Sequence, residues 1–257
     1  MATGVRGVGE FCWFNILTSR PAEARAFFGE ILGWTASEIP GMGHTVLAGG
    51  RPIGGLFDLD GPMTPKGSSA VVALMVKVKN ADAACEQVTA LGGRVLRPAF
   101  DIGNNLRMAV CADPDGSKFD LWESKSGEGT DVDSRTPGAP SWYELITTNT
   151  ERATAFYSAL LGWKPRIVPM PGGNYTTFLL GETMVAGMLQ ITANMVGIEP
   201  HWRPYFTVKD ANETVRRATA LGATVKMPMR SAEGVGAFGA LTSPQGLTFH
   251  IVEYTAK

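Results

Sequence analysis

The sequence contains the same pattern twice. Trp13, Phe14 and Thr18 recur 129 positions later as Trp142, Tyr143 and Thr147. Ala24, Phe27-Phe28 and Leu32-Gly33-Trp34 recur at the same offset as Ala153, Phe156-Tyr157 and Leu161-Gly162-Trp163. Further on the offset is 130, pairing Val78-Lys79 with Val208-Lys209 and Thr89-Ala90-Leu91-Gly92 with Thr219-Ala220-Leu221-Gly222. It also pairs Pro98 with Pro228, Pro114 with Pro244, Gly116 with Gly246, Phe119 with Phe249 and Glu123 with Glu253. This tandem duplication constrains the fold strongly, because both copies must accept one structure. Residues 125–140 between them are polar and broken by Gly and Pro, as in a surface linker. Two domains are expected, 8–124 and 141–257, each long enough for its own core.

Each copy reads as two smaller units. Ala24, Phe27, Phe28, Ile31 and Leu32 fall on one helical face, and Gly33 stops the helix. Ala84, Cys85, Val88 and Leu91 make a second such face, stopped by Gly92-Gly93. Asp210 followed by Glu213 is a capping signature for the matching helix of the second copy. Strand-like segments precede the four helices at 11–18, 70–78, 140–147 and 203–209. Three more, at 34–39, 43–48 and 51–59, follow the first helix. The pattern is β-α-β-β-β four times over, an α+β architecture.

Composition narrows the function classes. At 44% apolar and 18% charged residues, the 257-residue chain is neither disordered nor a coiled coil. Twenty-four acids against 23 Lys plus Arg leave no electrostatic footprint for nucleic acid or an anionic membrane. No apolar run approaches the roughly 18 residues of a spanning helix, and the opening residues lack a signal peptide's apolar core. A cytoplasmic protein with a small-molecule ligand, as a monomer or weak homodimer, is the expectation. Cys12, Cys85 and Cys111 lie in apolar contexts without a Cys-x-x-Cys pair and read as reduced core thiols.

An aromatic strand, a helix ending Phe-Phe-x-x-x-Leu-Gly-Trp, and a closing Asp113-Pro114-Asp115-Gly116-x-x-Phe119-Asp120-Leu121 resemble the vicinal oxygen chelate superfamily. This is the glyoxalase, bleomycin-resistance and extradiol-dioxygenase group. Pro98-Ala99-Phe100-Asp101-Ile102-Gly103 with Arg107-Met108 resembles its tandem two-domain branch. The resemblance implies two half-open barrels, each with a cavity. In metal-using members a divalent ion there acts as a Lewis acid, and one ligand comes from each of four strands. By resemblance the ligand positions fall on Trp13, Gly55, Ala73 and Asp120 in the first copy. In the second they fall on Trp142, Gly187, Arg203 and His250. Each copy keeps at most one plausible ligand where divalent sites normally use three. No metal or other cofactor is therefore expected; the alternative is one divalent ion held by an unexpected ligand set, as in a lactoylglutathione-lyase-like enzyme or a dioxygenase.

Strand alternation places Trp142 and Glu144 on one face, while Arg203 and His250 occupy ligand-equivalent positions by resemblance. Glu144, His250 and Arg203 form the catalytic expectation, proton transfer or lyase chemistry on a small carbonyl compound. The alternative is a buried ion pair that only neutralises Arg203. Trp13, Asn15, Asp120, Trp122, Trp142 and Arg107 are the expected substrate-binding residues, Arg107 in a loop that could gate the cavity. Sequestration of a drug or metabolite, with the tryptophans stacking on it, is the competing function. His44 reads as a turn residue and His201 as a solvated strand start.

Overall fold

In a computed structural model of the chain, residues 4–62, 64, 66–170 and 173–255 are described. The first copy runs β1 (Phe11–Thr18), α1 (Pro21–Leu32), β2 (Thr35–Ile39), β3 (Gly43–Ala48), β4 (Arg51–Asp58). It continues with β5 (Val71–Lys77), α2 (Ala81–Ala90), β6 (Arg94–Ile102), β7 (Leu106–Ala112) and β8 (Lys118–Ser124). The second copy repeats this as β9 (Pro140–Thr147), α3 (Thr150–Leu161), β10 (Lys164–Met170), β11 (Gly173–Leu180), β12 (Thr183–Gln190). It ends with β13 (His201–Thr207), α4 (Ala211–Ala220), β14 (Thr224–Ala232), β15 (Gly236–Thr242) and β16 (Thr248–Tyr254). Two eight-stranded sheets result, ordered β2-β3-β4-β1-β5-β8-β7-β6 and β10-β11-β12-β9-β13-β16-β15-β14. Neither order returns on itself, so the sheets stay open rather than closing as barrels. No helix among the described residues is long and apolar enough to cross a membrane.

The helix stops behave as their residues dictate. Gly33 and Gly162 adopt left-handed backbone and donate to the carbonyls of Gly29 and Ser158. Asp210 caps α4 by accepting from the Glu213 amide. The Glu213 carboxylate turns to Arg216 instead of completing a reciprocal box.

Packing divides the chain differently from the repeat. One compact unit gathers Met1–Cys12, Leu74–Gly129 and Trp142–Arg203; the other gathers Trp13–Ala73, Thr130–Ser141 and Pro204–Lys257. In the first, Phe156 and Tyr157 of α3 pack edge-on against Phe119 of β8, and Tyr157 stacks on Trp163. In the second, Phe27 and Phe28 of α1 meet Phe249 of β16, while Phe28 and Phe206 flank Trp34. These are repeat-related residues, so each aromatic core is built from a helix of one copy and a strand of the other.

Two indoles add a reciprocal latch. Trp163 Nε1 donates to the carbonyl of Gly9 at 2.7 Å, and Trp34 Nε1 donates to that of Gly138, also at 2.7 Å. Gly9 and Gly138 are themselves 129 positions apart. Within segment 125–140, residues 125–128 are exposed but the part from Thr130 on is more deeply seated than a surface linker. Thr130, Val132, Ser134 and Ala139 are buried, and the Thr130 hydroxyl donates to the Ile53 carbonyl. A buried apolar Tyr157 environment also holds a polar thread, in which Trp202 Nε1 donates to Tyr157 Oη and Tyr157 donates to Asp113 at 3.0 Å.

Gly138 and Gly33 offer a ranked test. Both have positive φ, but an added Cβ at Gly33 meets open space, whereas at Gly138 it lies 2.6 Å from the Leu32 carbonyl oxygen and 3.0 Å from the Trp34 indole. Gly33→Ala is expected to cost about 1–2 kcal/mol from backbone strain alone, lowering Tm by about 2–4 °C per kcal/mol in a chain of this size. Gly138→Ala should lower it clearly further, because the latch must open. Equal melting temperatures in calorimetry would contradict the latch.

Candidate functional site

The site grows from the alternation of β9. Tyr143 and Leu145 face the aromatic core, where Tyr143 stacks on Phe11 at 4.4 Å. Trp142 and Glu144 therefore face the opposite side of the sheet. Register continues that face outward: Glu144 pairs with Gly187 of β12, Gly187 with Thr177 of β11, and Thr177 with Arg166 of β10. On β13, Arg203 and His201 share one face by the same alternation.

Four side chains on this face form one network. Trp142 Nε1 donates to Tyr175 Oη at 2.9 Å, and Tyr175 donates to Glu144 Oε1 at 2.9 Å. Arg203 binds the other carboxylate oxygen through Nε at 2.8 Å and through Nη2. The Glu144 carboxylate thus accepts three hydrogen bonds while only 6% exposed. Burying such a pair costs desolvation, and removing either partner would strand a charge. Burial, with the Arg203 charge adding to it, holds the His201 imidazole below its usual value; His201 Nδ1 lies 2.7 Å from the Glu199 carbonyl. His201 is half-buried, not the solvated strand start read from its position.

Gly187 makes this arrangement possible. A Cβ there would collide with the Tyr175 hydroxyl and come within 3.0 Å of the Trp142 ring. The space a side chain would take at Gly187 is therefore filled by a phenol from the next strand. Tyr175 was not singled out from the sequence, because its role depends on register with a residue that has no side chain.

The first copy lays out the same row with different ends. Asn15 pairs with Gly55, Gly55 with Thr45, and Thr45 with Ser37. An added Cβ at Gly55 would lie 2.6 Å from Asn15 Oδ1 and against the Phe57 ring. Trp13 Nε1 donates to Asn15 at 3.2 Å.

The remaining candidates have partners of their own. Arg107 binds Asp82 through Nε and Nη2 and Asp101 through Nη1. Trp122 is buried and donates to the Glu128 carbonyl at 3.3 Å. His250 is buried in the other compact unit with its ring 4.9 Å from that of Tyr205. His44 lies on β3, its Nε2 3.0 Å from Arg25 Nη1. Cys12, Cys85 and Cys111 form no disulfide among the described residues. Burial pushes the Cys111 and Cys85 thiols up, and the two share a hydrogen bond.

Among the described residues, no three His, Cys, Asp or Glu side chains come together. Glu144 is the carboxylate on the second copy's row, and a guanidinium already occupies it. A cation at that point would meet Arg203 in repulsion, so this donor set does not fit a divalent ion.

Asp120 carries a measurable signature. Burial raises its carboxyl from 3.8 to about 7. The folded chain then holds a proton that the unfolded chain releases, so stability falls as pH rises from about 4 to about 7. Burial also raises Asp113, which adds a slope of the same sign. Asp120→Asn is expected to flatten part of the loss in urea midpoint between pH 5 and pH 8. An unchanged slope would show that Asp120 is ionised in the fold across this range.

Comparison with known proteins agrees with this arrangement of strands and helices. Residues 11–121 match the Glyoxalase/Bleomycin resistance protein/Dioxygenase superfamily, and residues 144–252 match a glyoxalase-like domain. The chain is 30% identical over 247 residues to CFP32 of Mycobacterium tuberculosis, which carries a provisional glyoxylase name, covering 94% of this chain and 93% of that one. It is 31% identical over 260 residues to the anthracycline biosynthesis protein DnrV of Streptomyces peucetius, covering 95% and 93%. The fold is similar to that of the Mn(II)-bound glyoxalase from Novosphingobium aromaticivorans, with a TM-score of 0.63 at 15% identity over 98% of this chain and 83% of that one. It is also similar to homoprotocatechuate 2,3-dioxygenase from Brevibacterium fuscum, with a TM-score of 0.66 at 12% identity over 100% and 83%. Both halves of the repeat give one assignment: the chain belongs to the glyoxalase, bleomycin-resistance protein and dioxygenase superfamily.

Proposed function

We propose that the chain binds a planar, carbonyl-bearing aromatic molecule on the second copy's strand face, without a metal ion. The observation that carries this reading is the Trp142–Tyr175–Glu144–Arg203 network. Its hydrogen bonds lock two aromatic rings beside Gly187, giving a preorganised stacking surface next to a satisfied ion pair. Stacking on such rings contributes about 0.5–1.5 kcal/mol each beyond area burial. Preorganisation spares the ligand the cost of ordering them. The name of DnrV, an anthracycline biosynthesis protein, supports a fused-ring aromatic ligand for this chain.

A second reading, proton transfer on the bound carbonyl compound, is favoured by His201. Its imidazole, held low by burial, is neutral near pH 7 and able to accept a proton. Sequestration alone gives no exchange of a C–H next to the ligand carbonyl into D2O; His201-dependent exchange supports turnover.

The binding reading is tested with anthraquinone-2-carboxamide, followed by tryptophan fluorescence on protein dialysed against EDTA. Saturable quenching that EDTA leaves intact is expected, and Tyr175→Phe should weaken it several-fold by releasing both Trp142 and Glu144. Absence of binding, or binding that appears only after Mn(II) is added, overturns the reading.

A further inference from the structure

The two copies differ in charge along one row of the sheet. In the first copy the row reads Asn15, Gly55, Thr45, Ser37; in the second it reads Glu144, Gly187, Thr177, Arg166. The glycine and threonine in the middle are retained, while both neutral ends have become charged. Glu144 is neutralised by Arg203, whose repeat counterpart is the uncharged Ala73. That pair cancels, and Arg166 remains as the surplus charge of the row.

Arg166 is exposed on the edge strand β10, and no carboxylate among the described residues pairs with it. Its guanidinium Nη2 lies 3.2 Å from Met184 Sδ, a weak acceptor that an incoming anion would easily replace. Two partly apolar neighbours and one cation lie beside it: Val168 of β10, which pairs with Tyr175, is 40% exposed, Met184 of β12 is 42% exposed, and Lys164 is exposed on the same face of β10. From β9 to β10 the row crosses three strand spacings, roughly 14 Å. A fused-ring molecule can span that distance from the Trp142 and Tyr175 rings to the Arg166 guanidinium.

We infer that the second copy's face is selective for aromatic acids, with Arg166 as the subsite that receives the ligand's carboxylate or other anionic oxygen group. This rests on the binding reading above and names its substrate class. Arg166 sets specificity here and takes no part in any chemical step. A planar guanidinium suits a two-oxygen anion, and its partial exposure limits the gain to that of a solvent-screened pair.

Anthraquinone-2-carboxylate and anthraquinone-2-carboxamide differ chiefly in charge and make the test. The unaltered protein is expected to bind the acid about three- to five-fold more tightly than the amide, the range of a partly exposed ion pair. Arg166→Ser, which installs the residue of the first copy, should bring this ratio close to one. Arg166→Lys should keep part of it, and 0.5 M salt should compress it in the unaltered protein. A ratio near one in the unaltered protein, or one that Arg166→Ser leaves intact, overturns the anionic subsite while binding itself stands. If neither compound binds, the underlying reading of the face falls as well.

Discussion

Everything in this fold depends on aromatic side chains that must find partners in the other copy of the repeat. Phe27 and Phe28 pack on Phe249, and Phe156 and Tyr157 pack on Phe119. These large buried rings dominate the apolar area of each core. The face of each sheet that meets the helices is thereby committed to structure. The opposite face is left to vary, and it is there that Glu144, Arg203 and Tyr175 lie.

Much of this was legible in the sequence because duplication supplies its own control. The offsets of 129 and 130 located both sets of elements, and Gly33 and Gly162 marked helix ends that the backbone confirms. Alternation along β9 was enough to put Trp142 and Glu144 on one side, and Arg203 does reach Glu144. Tyr175 was invisible, since only sheet register brings it over Gly187. The burial of Thr130, Val132, Ser134 and Ala139 within 125–140 was hidden for a related reason. Its polar composition describes a loop, but the indole of Trp34 and the carbonyl of Ile53 hold it down. Composition records what a segment can do in water and says nothing about the donors waiting for its carbonyls.

The second copy also shows how a site can change character without disturbing its scaffold. Glu144 and Arg203 replace Asn15 and Ala73 of the first copy, and neither charge is tolerable alone when buried. Their presence together removes a carboxylate from the donors available to a metal and gives the neighbouring phenol a fixed acceptor. Where the first copy has neutral side chains, the second supports a charge-balanced polar network.

The mixing of copies in each core has a consequence for how the chain is made. Phe249 follows Phe28 by 221 residues along the chain. At typical rates of about 5–20 residues per second, the intervening stretch takes on the order of ten to forty seconds to appear. For that interval the first aromatic helix has no partner strand, and long-range contacts of this kind slow folding further. A nascent chain of this design must keep a greasy helix out of trouble until its last strand arrives, so its vulnerability to aggregation is greatest on the ribosome and smallest once folding is complete.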